Sequence, residues 1–404
     1  MKELYQHYER HFGPGDDLYH VFAPYGVSPL GAHVDHQHGL VTGFAVDKGI
    51  DILFQPTETG LIEMVSLSFA DPTIFHVEAP IYEKHFNWGD FLRGAVWVMQ
   101  KEFQLKKGVR GIIRGSIPSG GVASSAALLC GFIAALAKAN YLLLTRDQMV
   151  TLASRAERMF IGLTNGILDQ SCVTLGERHH LLFIDTETSE HQTLPFGTFG
   201  ADAPDENLPF CIGIFYSGVS RMLTNTDYNL RVQECRAAGW MLQAYGDSQL
   251  GRLENVHLRH VDRQLYDRYA PMMPPRFFRR ARHFYEENER VQRGVELWQQ
   301  GDIEHFGQLM FESCESSIHN YECGSPELIS LYQSLRHTAG VYGARFSGAG
   351  FIGSCVALID VQQADAVRTQ VTADYLSAFP QYKDTFCSFI CHSHQGLDFV
   401  DDVA

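Results

Sequence analysis

The chain has 404 residues, which is too long for one ordinary domain and predicts two or three. Hydrophobic residues make up 45% of it and charged residues 20%, a balance that excludes disordered, collagenous and disulfide-scaffold proteins. The net charge of -15 argues against nucleic acids and anionic membranes as partners, because their binding requires a basic surface. Scattered cysteines, a polar N-terminus and apolar runs too short to span a membrane predict a soluble cytoplasmic protein.

Strands and helices alternate along the chain, which predicts an α+β fold. Strands are predicted within residues 41–54 and a helix at 87–101. A strand at 109–117 then leads through a glycine turn into an almost entirely apolar helix at 124–139. Strands follow at 181–185 and 210–217, polar helices at 228–245 and 279–300, and strands at 341–346 and 354–360. Proline and acidic residues at 200–210 indicate a domain boundary there.

The turn at residues 119–126, SGGVASSA, has the composition of a phosphate-binding loop. Gly120 and Gly121 allow the backbone to approach an oxyanion closely, and the helix that follows directs free N–H groups at it. Ser124 and Ser125 add hydroxyls for a phosphate oxygen or Mg²⁺. The loop is not a Walker motif, because Gly-Lys-Ser/Thr is absent. The alternative is an ordinary strand-to-helix turn with a serine cap.

Two further motifs suggest a dinucleotide or a metal. Residues 348–353 match G-x-G-x-x-G, but a strand pattern follows them where a dinucleotide-binding turn requires a helix. Residues 33–38, HVDHQH, are dense in metal-ligand types, yet their spacing fixes no coordination geometry. A polar loop that binds a polyhydroxylated ligand and a simple turn remain alternatives. Another suggestive group without zinc spacing is Cys387, Cys391, His392 and His394.

Asp169 is a candidate catalytic carboxylate in the short apolar segment NGILDQ. Burial there would tune it as a base or as a charge stabiliser. Glu157 lies twelve residues earlier, so the two acids are candidates to flank one Mg²⁺ and one nucleophile. Without other evidence, an aspartate that follows a glycine in this way is usually a turn residue.

In their order along the chain these segments resemble the GHMP kinases, and within them the galactokinases. Residues 24–39, PYGVSPLGAHVDHQHG, resemble the first family motif, PGRVNLIGEHTDYNGG. Residues 117–127 resemble PLGGGLSSSA, residues 156–170 resemble AEHxFAGVxCGIMDQ, and residues 343–354 resemble GxRMTGGGFGGC. The resemblance implies a two-lobed α+β fold with mixed sheets and helices. Residues 1–205 would form the N-terminal lobe and 206–404 the C-terminal lobe, with the active site between them.

The resemblance also implies a reaction and its residues: transfer of the γ-phosphoryl group of ATP to the C1 hydroxyl of a hexose. Asp169 corresponds to the catalytic aspartate, Ser125 and Glu157 to Mg²⁺ contacts, and Trp88 to an aromatic residue near adenine. The implied phosphate contacts are Gly120, Gly121, Val122, Ala123, Ser124 and Ser125. The implied sugar contacts are His33, Asp35, Gly166, Asp169 and Tyr228.

Departures from the galactokinase motifs bear on the substrate. Gly26 replaces an arginine close to the catalytic aspartate, so Asp169 is expected to be held less strongly in its charged form. The serine loop is one residue shorter, and Ile352 replaces a glycine. Ala32 replaces a glutamate that binds the sugar 6-hydroxyl, which removes repulsion of a C6 carboxylate. His36, in place of a tyrosine, and Arg221 are candidate partners for that carboxylate.

These departures, and the segment SPLGAHVDHQ, resemble the galacturonokinases of the family and favour D-galacturonate as the substrate. Galactose is the alternative substrate. A non-catalytic sensor that binds sugar and ATP is a third reading, which the retention of Asp169, Glu157 and Ser125 disfavours. The sequence does not distinguish a monomer from a homodimer.

Overall fold

The computed structural model describes residues 2–15, 17–81, 83–118, 120–200, 202–219, 227–246, 250, 252 and 255–400. In this part of the chain two β-sheets form the centres of two lobes, and helices cover them. The fold is α+β with mixed sheets, as the sequence predicts. None of the helices described is long and apolar enough to span a membrane.

The first sheet belongs to the N-terminal lobe. Its strands are β1 (Tyr19–Val27), β2 (Leu40–Thr57), β3 (Leu61–Ser66), β4 (Thr73–His76), β5 (Gly108–Gly115), β6 (His180–Asp185), β7 (His191–Pro195) and β12 (Asp398–Phe399). The path β12-β1-β2-β5-β3-β4 carries β6 and β7 as a branch on β2. Strand β2 is long enough to pair with β1, β5 and β6, and only the β3–β5 pair in this sheet is parallel.

The second sheet forms the C-terminal lobe and is antiparallel. Its strands are β8 (Phe210–Tyr216), β9 (Val341–Phe346), β10 (Ser354–Asp360) and β11 (Cys387–Cys391), in the order β11-β8-β10-β9. The turn between β9 and β10 is the glycine-rich segment 347–353, so this segment joins two strands and does not open a helix. The structure therefore agrees with the exclusion of a dinucleotide-binding turn.

Eleven α-helices lie in the described part of the chain. They are α1 (Lys2–Phe12), α2 (Gly89–Met99), α3 (Ser124–Ala139), α4 (Arg146–Arg155), α5 (Leu168–Leu175), α6 (Tyr228–Tyr245), α7 (Arg263–Tyr269), α8 (Pro275–Gln300), α9 (Ile303–Ser316), α10 (Pro326–His337) and α11 (Ala364–Ala378). Helices α4 and α9 each continue directly into a π-helical turn, Ala156–Ile161 and Ser317–Tyr321 respectively. The first of these turns contributes Glu157 to the pocket described below, and Tyr321 of the second stacks on His33, which lines that pocket.

Helix α3 positions the site because it is buried on nearly all sides. It packs against β1 and β2 and is surrounded by α2, α4 and α5. Its sequence, SSAALLCGFIAALAKA, supplies small and apolar side chains around the whole helix, which is the pattern of a fully buried helix. Gly131 lies where an added Cβ would come within 2.9 Å of the Ile52 side chain, so the helix and the sheet are in close contact.

The predicted lobe boundary at residue 205 falls between β7 and β8, which belong to different sheets. The C-terminal lobe does not contain all of residues 206–404, however. Strand β12 pairs with β1, with Val21 opposite Phe399, so the end of the chain returns to the first sheet. The prediction missed this return because the two-residue strand is too short to show a periodic pattern.

Candidate active site

A pocket lies between the two lobes, and both contribute to its wall. The N-terminal lobe contributes β1, the loop after it, the first turn of α3, the π-helical turn 156–161 and α5. The C-terminal lobe contributes α6, the end of β9 and the loop after it. The residues that line the pocket include Gly26, Ser28, Ala32, His33, Asp35, Ser125, Glu157, Asn165, Asp169, Tyr228, Arg345, Ser347 and Gly348.

The glycine-serine loop presents the N-terminus of α3 to this pocket. Ala123 precedes the helix in a left-handed conformation, with φ of 54°, and this N-cap residue makes no side-chain capping hydrogen bond. The first N–H groups of α3 are thus available to an anion, as the phosphate-loop interpretation requires. Gly121, with φ of 75°, would place a Cβ 2.8 Å from the backbone oxygen of Ser347, so glycine is needed for this contact with the β9–β10 turn.

Ser125 and Glu157 lie next to each other. The Ser125 hydroxyl donates a hydrogen bond to Glu157 Oε1 at 2.6 Å, and the side-chain amides of Asn165 and Gln170 donate to Oε2 at 2.8 and 2.5 Å. Burial raises the pKa of Glu157, and these hydrogen bonds oppose the increase. The carboxylate therefore has three neutral donors around it, and a hydroxyl oxygen stands beside it. Such oxygen donors are those that Mg²⁺ prefers.

Asp169 lies in the first turn of α5 and lines the same pocket. Burial, together with the charges of Glu157 and Asp35, raises the pKa of its carboxyl group from 3.8 to about 7. This direction agrees with the expectation for a chain that has Gly26 where the family has an arginine. A Cβ at position 26 would lie 2.7 Å from Cys172 Cβ and 3.6 Å from the Asp169 backbone oxygen, so position 26 does adjoin Asp169.

Asp35 and Gly166 form one local unit. The Asp35 carboxylate accepts hydrogen bonds from the N–H of Gly166 at 3.1 Å and of His36 at 2.8 Å. A Cβ on residue 166 would lie 2.5 Å from Asp35 Oδ2, which explains why glycine occupies this position. Both residues come together beside Asp169, as the predicted sugar site requires, and burial raises the pKa of Asp35. Tyr228, at the start of α6, is buried at the pocket wall.

The histidines of the HVDHQH segment point in different directions. His33 lines the pocket, and its ring stacks on Tyr321 with centroids 4.2 Å apart. His36 turns away from the pocket, with its Nε2 3.2 Å from the Tyr321 hydroxyl and its Nδ1 3.1 Å from the Gln37 amide. His38 contacts His257 instead. The described residues contain no group of three or more His, Cys, Asp or Glu suited to a metal ion. The metal interpretation of HVDHQH is therefore wrong for this fold.

The prediction that His36 pairs with a substrate carboxylate is also not supported by the geometry. Its hydrogen bonds to Tyr321 and Gln37 use both ring nitrogens. Burial lowers the pKa of His36 to about 3, so the ring is neutral near pH 7. The 3₁₀ turn Asp35–Gln37, which the sequence did not reveal, causes this orientation. The other candidate partner, Arg221, lies outside the described residues.

Ala32 is held by two buried side chains of α8. Its N–H donates to Glu287 Oε1 at 3.1 Å, and its carbonyl oxygen is 2.8 Å from His283 Nε2. Glu287 also accepts the N–H of Gly31 at 2.9 Å, so the loop is fixed on both sides. The backbone of Ala32 is therefore engaged, and only its methyl group remains to form the pocket wall.

The remaining predicted ATP contacts lie outside the pocket lining. Gly120 and Val122 belong to the loop that precedes α3, and Ser124 is the first residue of that helix. The Val122 carbonyl accepts the N–H of Gly26 at 3.2 Å. Trp88 is buried at the start of α2, where its indole N–H donates to the Asp71 carbonyl at 2.9 Å and its ring stacks on the exposed Phe69. Its contact with adenine remains a prediction.

Several residues of the site were not named as site residues by the sequence argument: Asn165, Gln170, His283, Glu287, Tyr321 and Arg345. The signal that was available for some of them was membership in the quoted family motifs, since Asn165, Gln170 and Arg345 lie within those segments. Glu287 offered no such signal, because a glutamate in an Arg-rich helix is typical of a solvent-exposed face.

Comparison with known proteins identifies the family. The family model of the GHMP kinase N-terminal domain matches residues 90–177, and that of the GHMP kinase C-terminal domain matches residues 295–377. A galacturonokinase from Arabidopsis thaliana is 38% identical over 384 residues, which cover 90% of this chain and 88% of that protein. The chain is a GHMP kinase of the galactokinase family. It is a sugar phosphotransferase of the galactokinase and galacturonokinase type.

Other members of the family are similar over nearly the full length. A galactokinase from Thermococcus kodakarensis is 31% identical, with 91% of this chain and 96% of that protein covered. The crystal structure of Lactococcus lactis galactokinase complexed with galactose superposes with a TM-score of 0.86 at 25% identity, covering 98% of this chain and 99% of the other. Methanococcus jannaschii mevalonate kinase shares the fold, with a TM-score of 0.64 at 16% identity.

Proposed function

We propose that this GHMP kinase transfers the γ-phosphoryl group of ATP to the anomeric C1 hydroxyl of D-galacturonate, with Mg²⁺ as its metal ion. The supporting observation is the position and state of Asp169. Its carboxyl group lies in the interlobe pocket with the first turn of α3 and Asp35, and its pKa is raised to about 7. A base with a pKa near the working pH is well suited to accept a proton.

In the proposed step the C1 hydroxyl faces Asp169. The hydroxyl oxygen forms a bond to Pγ while the bond from Pγ to the bridging oxygen of ADP breaks, and the hydroxyl proton passes to the Asp169 carboxylate. The N–H groups at the start of α3 bind phosphate oxygens that carry the charge. Phosphoryl transfer depends mainly on positioning and charge neutralisation, so this chain needs no covalent intermediate.

The donors at Ser125 and Glu157 fit a magnesium ion. Both residues offer oxygen ligands, and the Ser125 hydroxyl oxygen lies 2.6 Å from Glu157 Oε1. The described residues place no cation against Glu157, whose carboxylate accepts hydrogen bonds from Ser125, Asn165 and Gln170. Mg²⁺ bound there would neutralise phosphate charge. Asn165 and Gln170 then keep the Glu157 carboxylate in place as its ligand.

Galacturonate is favoured over galactose by the pocket wall at Ala32. A methyl group there leaves room and adds no negative charge beside a C6 carboxylate. The similarity to a galacturonokinase supports the same substrate. Galactose is the second candidate, supported by the likeness to galactokinases. All nine cysteines are free thiols, which supports our expectation that the enzyme acts in the reducing cytoplasm.

The test is ADP release by the purified protein with ATP and Mg²⁺, measured against galacturonate, galactose, glucuronate, arabinose and no sugar. Turnover of galacturonate with little turnover of galactose is the expected result, and kcat/KM should rise between pH 6 and pH 8. Asp169→Asn is the inactive control. Preference for galactose would refute the substrate assignment. Binding of ATP and sugar without ADP release would refute catalysis and favour a sensor.

A further inference from the structure

Arg345 is a buried cation at the wall of the active-site pocket. It lies on β9, is 1% exposed, and lines the pocket together with Ser28, Ala32 and His33. It is the one lysine or arginine among the described residues of this lining. The other charged groups of the lining, Asp35, Glu157 and Asp169, are acidic.

The guanidinium of Arg345 has few partners inside the protein. Its Nη1 donates one long hydrogen bond to the Ser28 carbonyl oxygen at 3.4 Å, and its Nε has no hydrogen-bond partner among the residues that the structure describes. Within the described part of the chain no carboxylate lies within 4.0 Å of it. Arg280, which is equally buried, shows the usual arrangement, with Glu234 at 2.7 Å and Glu322 at 2.6 Å.

A buried charge without a counter-charge is unfavourable, and arginine does not relieve this by losing its proton. Burial lowers the pKa of Arg345, while the charge of Glu287 opposes this effect. Glu287 is already engaged, however. It forms an ion pair with Arg290 at 2.7 Å and accepts hydrogen bonds from Gly31, Ala32 and Ser313. The charge of Arg345 is therefore left to be balanced from the pocket.

The neighbouring histidines do not compete for this role. Burial lowers the pKa of His33 far below its ordinary value and that of His283 to about 4, so both rings are neutral near pH 7. The ring nitrogens of His283 form hydrogen bonds with the Ala32 carbonyl oxygen and the Ser316 hydroxyl. Both ring nitrogens of His33 are buried without a hydrogen-bond partner among the described residues, so His33 is available to donate one neutral hydrogen bond to a ligand.

We propose that Arg345 binds the C6 carboxylate of the hexuronate substrate, with His33 as a neutral hydrogen-bonding partner. This inference rests on the proposed function. Binding of the C6 carboxylate by Arg345 gives the substrate one orientation, because the carboxylate is attracted to Arg345 and repelled by the acidic groups around Asp169. The anomeric hydroxyl at the opposite end of the sugar is then directed toward Asp169. An anionic phosphoryl group is the other ligand that a cation of this kind binds, and the test separates the two.

The test combines a change of charge on the enzyme with a change of charge on the substrate. KM and kcat are measured for D-galacturonate and for its uncharged amide, with the wild-type enzyme and with Arg345→Gln. Arg280→Lys is the matched control, since Arg280 is equally buried but paired and outside the pocket. For the wild type we expect KM to be about 10- to 100-fold higher for the amide, the range of a hydrogen bond between charged groups. In Arg345→Gln this ratio should fall to within about threefold of unity.

Each other outcome would overturn the proposal in a recognisable way. A ratio that Arg345→Gln leaves unchanged, with kcat reduced for both substrates, would assign Arg345 to the phosphoryl group. An unchanged ratio with a lowered melting temperature, as expected for Arg280→Lys, would make Arg345 structural. If Arg345→Gln does not fold, the ratio of the wild-type KM values for the amide and for D-galacturonate tests the proposal, since a ratio near one excludes a cation at C6. Failure of the wild type to use galacturonate at all would instead refute the proposed function.

Discussion

Replacing the candidate catalytic base should make the folded protein more stable at pH 8 while it abolishes activity. Asp169 is surrounded by Glu157 and Asp35, and burial with these charges raises its pKa to about 7. At pH 8 the folded protein therefore holds an ionised carboxylate that its surroundings disfavour. Asp169→Asn keeps the shape of the side chain and removes this charge.

The magnitude follows from the two pKa values of the group. The folded value is about 7 and the unfolded value is close to 3.8, a difference that corresponds to about 4 kcal/mol at pH 8. This is an upper bound, because the carboxylate is partly open to the pocket. Because the pKa is higher in the folded state, the wild-type protein is most stable, as far as Asp169 is concerned, below pH 3.8. This stability is lost as the pH rises from 3.8 through 7. The increase in the free energy of unfolding from Asp169→Asn should therefore fall to about 2 kcal/mol at pH 5.5.

The assay is urea unfolding at pH 8 and pH 5.5, followed by both fluorescence and circular dichroism so that two-state behaviour is tested. Asp51→Asn provides a control of opposite sign. Burial alone would raise the pKa of Asp51, but hydrogen bonds from His20 and Arg114 hold it below its ordinary value, so this replacement should destabilise at pH 8. If Asp169→Asn lowers stability at pH 8 while Asp51→Asn behaves as expected, the reasoning on Asp169 is refuted.

Three further replacements test the geometry of the pocket. Gly166→Ala places a Cβ 2.5 Å from Asp35 Oδ2 and should raise the KM for the sugar at least about tenfold. Gly200→Ala is the control, because a Cβ there would meet no described atom within 4 Å and should leave KM unchanged. Equal KM values in the two variants would contradict the Asp35–Gly166 unit. Ser125→Ala removes a hydroxyl beside Glu157 and should raise the Mg²⁺ concentration for half-maximal activity about tenfold, and an unchanged Mg²⁺ requirement would exclude Ser125 as a ligand. Tyr321→Phe removes the hydrogen bond to His36 but keeps the ring that stacks on His33. It should therefore lower the free energy of unfolding by about 1 kcal/mol and leave the KM for the sugar within about threefold of the wild-type value. A larger change in KM would show that His36 does act on the sugar.

The sequence predicted the elements with strong periodic patterns and the residues inside the family motifs. Helix α3 and strands β9 and β10 have the predicted bounds, because each is a mainly apolar or β-branched segment bounded by glycine turns or polar residues. Glu157 and Asp169 were found through their motif, and the structure places both at one pocket.

What the sequence did not predict depends on long-range contacts and irregular backbone. Glu287 contacts residues more than 250 positions away, and nothing in the polar helix α8 indicates that one of its glutamates is buried. Glu157 and Tyr321 lie in π-helical turns, whose extra residue per turn breaks the period on which a sequence argument relies. The orientation of His36 has a similar origin, since a single 3₁₀ turn decides which way its ring points.

The glycine at position 26 and the raised pKa of Asp169 have one structural cause. Strand β1 and helix α5 are so close that a Cβ on residue 26 would meet Cys172 Cβ at 2.7 Å, and no arginine fits there unless α5 moves. The Asp169 carboxylate therefore has the acidic groups Glu157 and Asp35 near it, and the described residues give it no ion-pair partner. Such surroundings reduce the stability of the fold, but they set the pKa of Asp169 near neutrality, where a base is most effective. The pocket is thus acidic around Asp169, and its one described cation, Arg345, lies at the wall formed with Ala32 and His33.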